Sequence, residues 1–160
     1  LNVFLDDNFV AAGRLATTTM PQERFQLALG ADEGIGIRRR LVNRLTEQAG
    51  FSGKTTRVTY EYLFTVTNNK SATQCVMFKD VLPVSRDEKI VVKLIEPAER
   101  DLAKPEDIIV PGALPKTGIT REEEGRIVWR ADVTPGKAGE RKFTLKFTVE
   151  YPSDTNVGGL

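Results

Sequence analysis

Carboxylates occur in three clusters, Asp6-Asp7, Asp32-Glu33 and Asp87-Glu88 with Asp80 nearby, and carboxylate oxygens are what a hard cation such as calcium needs. None of the clusters has the alternating acidic spacing and central glycine of a calcium loop. Solvated turn acids account for them, because Asp favours turns by bonding its own backbone. Paired-carboxylate hydrolysis needs two acids facing across a cleft at a defined separation, which this spacing does not set. The chain has no His and one Cys, Cys75. That excludes a His-based triad, a Cys–His pair, an all-protein zinc site and an internal disulfide framework.

Arg38-Arg39-Arg40 with Arg44 is the one basic concentration. On a strand, successive side chains point to opposite faces, so the charge is split, and the segment reads as an edge strand protected by charge. A nucleic-acid surface would instead gather cations and stacking aromatics on one face. Gly30-Ala31-Asp32-Glu33-Gly34-Ile35-Gly36 lacks the Lys-Ser/Thr of a phosphate loop and reads as a turn. Asn69-Lys70-Ser71 matches the glycosylation acceptor pattern, which matters only in a secreted eukaryotic protein.

The elements that must position these residues are strands. Val58, Tyr60, Tyr62, Phe64 and Val66 alternate with mostly polar neighbours, and so do Phe143, Leu145, Phe147, Val149 and Tyr151; period two marks a strand with one buried face. The same rule gives strands at 25–29, 90–94 and 127–133. Trp129 should be buried there on the face of Ile127, Ala131 and Val133, filling the core with the Tyr60/Tyr62 pair. Segment 74–82, apolar on both faces, is expected to be a central strand. Segment 38–49 is expected to be a long strand with Ile35, Ile37, Leu41 and Leu45 on one side. Turn residues at Asp6-Asp7-Asn8, at 68–71 and at 135–139 separate the runs, which predicts an antiparallel meander.

No segment holds a sustained 3.6-residue apolar period. The expected fold is therefore all-β: one antiparallel two-layer β-sandwich of immunoglobulin or fibronectin type over residues 1–160, with an N-terminal β-hairpin. Residues 97–125 hold four prolines and the run Glu122-Glu123-Glu124. They are expected to form a long mobile loop, anchored at most by Ile108-Ile109-Val110 as a short edge strand.

A length of 160 residues fits one core, and 23 basic against 22 acidic residues leave a net charge of +1, so no global field recruits nucleic acid. No apolar run approaches the roughly 18 residues of a membrane helix. The chain opens at Leu1 without an initiator Met, so it reads as a piece lacking its front end, and its compartment is unknown.

Several phrases together carry a family resemblance: Val3-Phe4-Leu5-Asp6-Asp7 with Phe9-Val10, Leu29-Gly30-Ala31-Asp32-Glu33-Gly34-Ile35, Val66-Thr67-Asn68, the run Asp80–Ile90, Gly125-Arg126-Ile127-Val128-Trp129, and Val149-Glu150-Tyr151-Pro152. The chain resembles the C-terminal domain of the mucoidy inhibitor A family, a domain of unknown function, and looks like its C-terminal half. The most specific phrase is Asp-x-Leu-Pro-Val-Ser-x-Asp-Glu-x-Ile at 80–90. Pro83 there withdraws a backbone donor and forces the strand to exit, and Ser85-Arg86-Asp87 turns the chain. Asp80, Pro83, Ser85, Arg86, Asp87 and Glu88 are thus the candidate binding corner, with Asp80 expected to accept from the turn's N–H groups; a fixed corner between strands is the plainer alternative.

The resemblance implies a larger protein in which an N-terminal β domain and a coiled coil precede this domain. The expected role is a non-catalytic interaction or assembly module without cofactor or metal, engaging a protein partner or self-associating through the upstream coiled coil. No nucleic acid and no membrane insertion are expected. A carbohydrate-binding or polysaccharide-processing role is the alternative, motivated by the mucoid phenotype for which the family is named.

Overall fold

The computed structural model describes residues 2–5, 7–13, 30–50, 54–104 and 116–155. The chain divides into two compact units, residues 1–33 and 34–160. The first contains the expected hairpin: β1 (Asn2–Leu5) pairs antiparallel with β2 (Asn8–Ala12). Asp7 in the connecting turn has φ 63°, a left-handed backbone that Asp tolerates better than most residues. Phe4 stands opposite Phe9, their exposed rings edge to face at 5.8 Å. The strand expected at 25–29 lies outside the described residues.

The second unit is a sandwich of two antiparallel sheets. One has four strands in the order β3 (Ile35–Ala49), β4 (Thr55–Asn68), β9 (Arg141–Pro152), β6 (Val91–Glu96). The other has three, in the order β5 (Gln74–Val81), β8 (Arg126–Val133), β7 (Gly118–Arg121). The two segments with the clearest alternation, β4 and β9, lie side by side, with Val58 opposite Val149, Tyr60 opposite Phe147 and Phe64 opposite Phe143. Their inward residues meet Val76, Phe78, Ile127, Trp129 and Val133 from the second sheet in one core. Ile127, Trp129, Ala131 and Val133 are all buried, as their shared face predicts, and Val128 on the opposite face of β8 is buried as well. Tyr60 is buried, whereas Tyr62 is half-buried at the rim.

The order is not a meander. β3 pairs with β4 and β7 with β8, but after β4 the chain crosses to the other sheet, and β4 takes β9, not β5, as its second partner. Alternation fixes which face is buried and carries no information on which run pairs with which. Segment 74–82 was expected to be central, yet β5 is an edge strand paired with β8, leaving Cys75, Met77 and Val81 exposed on its outer face. Its apolar outer residues imitate two-sided burial. Within 97–125, Gly118–Arg121 forms β7, Glu99–Asp101 and Glu123–Gly125 form 3₁₀ turns, and Arg121 pairs with Glu99 at 3.1 Å. Ile108-Ile109-Val110 lies outside the described residues.

Gly125 seals the end of the second sheet. Its carbonyl accepts from the Leu82 N–H at 2.8 Å, its φ is 73°, and a Cβ there would run into the Leu82 carbonyl oxygen. Gly136 has the similar φ of 77° with nothing within 4 Å of a Cβ. Gly136→Ala is therefore expected to cost only the backbone term, about 1–3 kcal/mol, and Gly125→Ala distinctly more. Urea unfolding of both variants checks this; equal losses would show that the Leu82 contact relaxes freely.

Candidate functional site

The corner at 80–90 is built from local hydrogen bonds. Ser85 Oγ accepts from the Asp87 N–H at 3.0 Å and donates to the Asp87 carbonyl at 2.9 Å; Asp87 Oδ1 accepts from the Lys89 N–H at 2.9 Å. The Asp87 carbonyl takes the Ile90 N–H at 3.0 Å, which delays β6 to Val91. Pro83 is half-buried; Arg86, Asp87 and Glu88 are exposed. These are the bonds by which Ser and Asp close turns.

Asp80 does not serve this turn. Its Oδ1 accepts from the Val81 N–H at 2.9 Å, and its Oδ2 takes Nε of Arg39 at 2.8 Å. The ion pair joins the candidate corner to the basic cluster, two features 41 residues apart in sequence. The Arg39 guanidinium also lies over the Tyr62 ring, 3.7 Å from its centroid. Burial lowers its pKa, but the hydrogen bond and charge of Asp80, with Tyr62, outweigh that, and Arg39 is held above its ordinary value.

β3 is the edge strand that the arginines imply, and it is far longer than the five or six residues of a usual strand. Its register places Ile35, Ile37, Arg39 and Leu41 opposite Asn68, Val66, Phe64 and Tyr62, on the face turned toward the second sheet. Arg38 and Arg40 point to the other face. At Val42 the pairing skips one residue, so that Arg44 falls opposite Tyr60 and Leu45 opposite Thr59. This bulge reverses the alternation: Leu45, expected beside Leu41, is on the opposite face, and Arg44 joins Arg39 on the inner one. The Arg44 guanidinium lies 5.6 Å from the Tyr60 centroid.

Two inner arginines are thus committed to Tyr62, Tyr60 and Asp80. Arg38 and Arg40 form no ion pair among the described residues. Ile37, Leu41, Val42 and Leu45 are 48, 45, 41 and 48% exposed, four large aliphatic residues within nine positions. Sequence reasoning located the arginines but missed Tyr62 as a platform, since alternation alone placed that ring in the core.

Elsewhere, a cleft of about 510 Å³ lies beside β6, lined by Arg57, Lys93, Glu99, Thr148 and Glu150 among others. Arg57 and Glu150, cross-strand partners on β4 and β9, pair on its wall at 2.7 Å. The described residues contain no group of three or more acidic, Cys or His side chains arranged to hold a metal. Cys75 has its thiol pushed up by partial burial and then by the charge of Asp132, against Arg130, which makes thiolate scarcer than in an ordinary cysteine.

The sequence profile of a domain of unknown function (DUF4139) matches residues 7–153. The chain belongs to this DUF4139 family. The broader half of the resemblance read from the sequence, a domain of unknown function, is what this match establishes. The domain is 28% identical over 158 residues to Protein F37C4.5 of Caenorhabditis elegans, covering 98% of this chain and 26% of that protein. The DUF4139 chain therefore spans about a quarter of the relative it matches. No solved structure matches it. Among the described residues of the DUF4139 domain, no helix is long and apolar enough to cross a membrane.

Proposed function

We propose that this domain is a non-catalytic interaction or assembly module of a larger multidomain protein of the mucoidy inhibitor A kind, and that it engages its partner through β3. The observation that carries this reading is β3 itself: fifteen residues at the edge of the four-stranded sheet, exposed along nearly their whole length, with aliphatic residues on both faces. Among the described residues no strand pairs with its far side, so it offers a row of backbone donors and acceptors to another chain. The corner at 82–90 then serves as scaffold, and Asp80 holds Arg39 in place on β3. A carbohydrate site would need ring faces side by side along a groove. In the sandwich Tyr60, Phe64, Phe78, Trp129 and Phe147 are buried, so the polysaccharide alternative draws no support from their placement.

A photo-crosslinking residue at Leu45 of the full-length protein, irradiated in extract of its own cells, is expected to give one discrete adduct, to a second polypeptide or to another segment of the same one. The same residue at exposed Lys137 should give none. Indistinguishable smears from both positions would remove β3 as the engaging element.

A further inference from the structure

Resting on that reading, we infer that the occupant of β3 is an extended acidic peptide segment, alternating carboxylate and aliphatic side chains, which adds to the four-stranded sheet as a fifth strand along Ile35–Leu41. Fifteen residues of strand offer about 50 Å of edge. The bulge at Val42 divides it, and the stretch before the bulge is a regular ladder of seven residues.

The placement of the charges selects the partner. A strand added beside β3 brings one set of its side chains next to Arg38 and Arg40 on the solvent face and the other next to Ile37 and Leu41 on the inner face. Arg38 and Arg40 remain solvated when the strand docks, so they do not block it as inward-pointing charges would. They choose its sign. Arg39, the inward cation of this stretch, is already held by Asp80 and laid over Tyr62. Carboxylates facing Arg38 and Arg40, with aliphatic residues facing Ile37 and Leu41, complement all four positions. A second copy of β3 would set four arginines and one glutamate against the same set, a like-charge pairing that costs affinity.

The test uses the 160-residue chain and three ten-residue peptides: alternating Glu-Val, alternating Lys-Val, and Glu-Val with N-methyl groups along one edge. Amide hydrogen exchange reads where each binds. The Glu-Val peptide is expected to protect outward-facing amides within 35–41 and to weaken at least tenfold between 50 and 300 mM salt. N-methylation should abolish the protection, and Lys-Val should give none. Arg38→Glu with Arg40→Glu, both on the solvent face, should reverse the preference toward Lys-Val.

Equal binding of Glu-Val and Lys-Val would overturn the acidic specificity. Absence of protection by any peptide, with the Leu45 adduct still formed, would overturn strand addition and leave the interaction reading standing. A dimer in sedimentation equilibrium that excludes the Glu-Val peptide would overturn the proposal in favour of a second copy. Loss of the Leu45 adduct with peptide protection intact would count against the wider reading instead.

Discussion

Trp129→Ala is expected to destabilise the sandwich by about 3–5 kcal/mol, the usual cost of deleting a large buried aromatic side chain. Trp129 is 1% exposed. Its indole stacks on Phe78, with 5.0 Å between centroids and 4° between planes, and meets Phe64 at 5.3 Å. Phe64 belongs to the four-stranded sheet, Phe78 and Trp129 to the three-stranded one, so the indole is where the two layers touch. Its loss leaves a cavity between sheets that cannot close without shifting both ladders. Urea unfolding followed by circular dichroism checks the magnitude. The wild-type indole should also emit at short wavelength and resist quenching by iodide, and a freely quenched indole would place β8 one residue out of register.

Asn68→Leu is expected to cost about 2–5 kcal/mol despite the near match in volume, because it strands buried partners. Asn68 is 0% exposed. Its Nδ2 donates to the Ala72 carbonyl at 2.9 Å and to the Val133 carbonyl at 2.8 Å, and its Oδ1 accepts from the Lys70 N–H at 2.9 Å. Its own carbonyl takes the Gly136 N–H at 2.9 Å. One side chain thus closes the turn from β4 to β5 and ties it to the end of β8. Asn68→Asp adds a pH signature. The new carboxyl would face two carbonyls in a buried site, which raises its folded pKa above the unfolded value. Folding then binds a proton, so the deficit should be largest near neutral pH and shrink as the pH falls through that raised pKa. A deficit independent of pH between 4 and 8 would mean that the site opens to water.

The arrangement of β3 follows from the same balance between burial and hydrogen bonding. Tyr62 sits half-buried at the rim of the core, with Arg39 laid over its ring from the edge strand while Asp80 on β5 holds the arginine's charge. A cation over an aromatic face, paired with a carboxylate, is a compact way to finish the border of a sandwich. Beyond that ring Arg44 turns inward over Tyr60, while Val42 and Leu45 stay exposed.

Much of this is legible in the sequence. Val58–Val66 and Phe143–Tyr151 declare themselves strands with one buried face because side-chain alternation is a local property of an extended backbone. The burial of Trp129 with Ile127, Ala131 and Val133 follows from the same rule, and Arg38-Arg39-Arg40 marks an edge because charge so dense is not buried without partners. The Asp80–Ile90 phrase carries its turn in Pro83, Ser85 and Asp87, whose bonds span two or three residues. Tertiary structure alone decided the rest. That β4 takes β9 as neighbour, about seventy residues later, and that β5 is an edge depend on pairings among runs with equivalent patterns. One unpaired residue at Val42 turned Arg44 inward and Leu45 outward. Asn68, in a sequence that reads only as a turn, became a buried hub because Val133 arrived beside it from 65 residues away. Side-chain direction is set by the nearest peptide bonds and can be read from them; partner, register and burial of a polar group are set by whatever the chain brings back across the sheet.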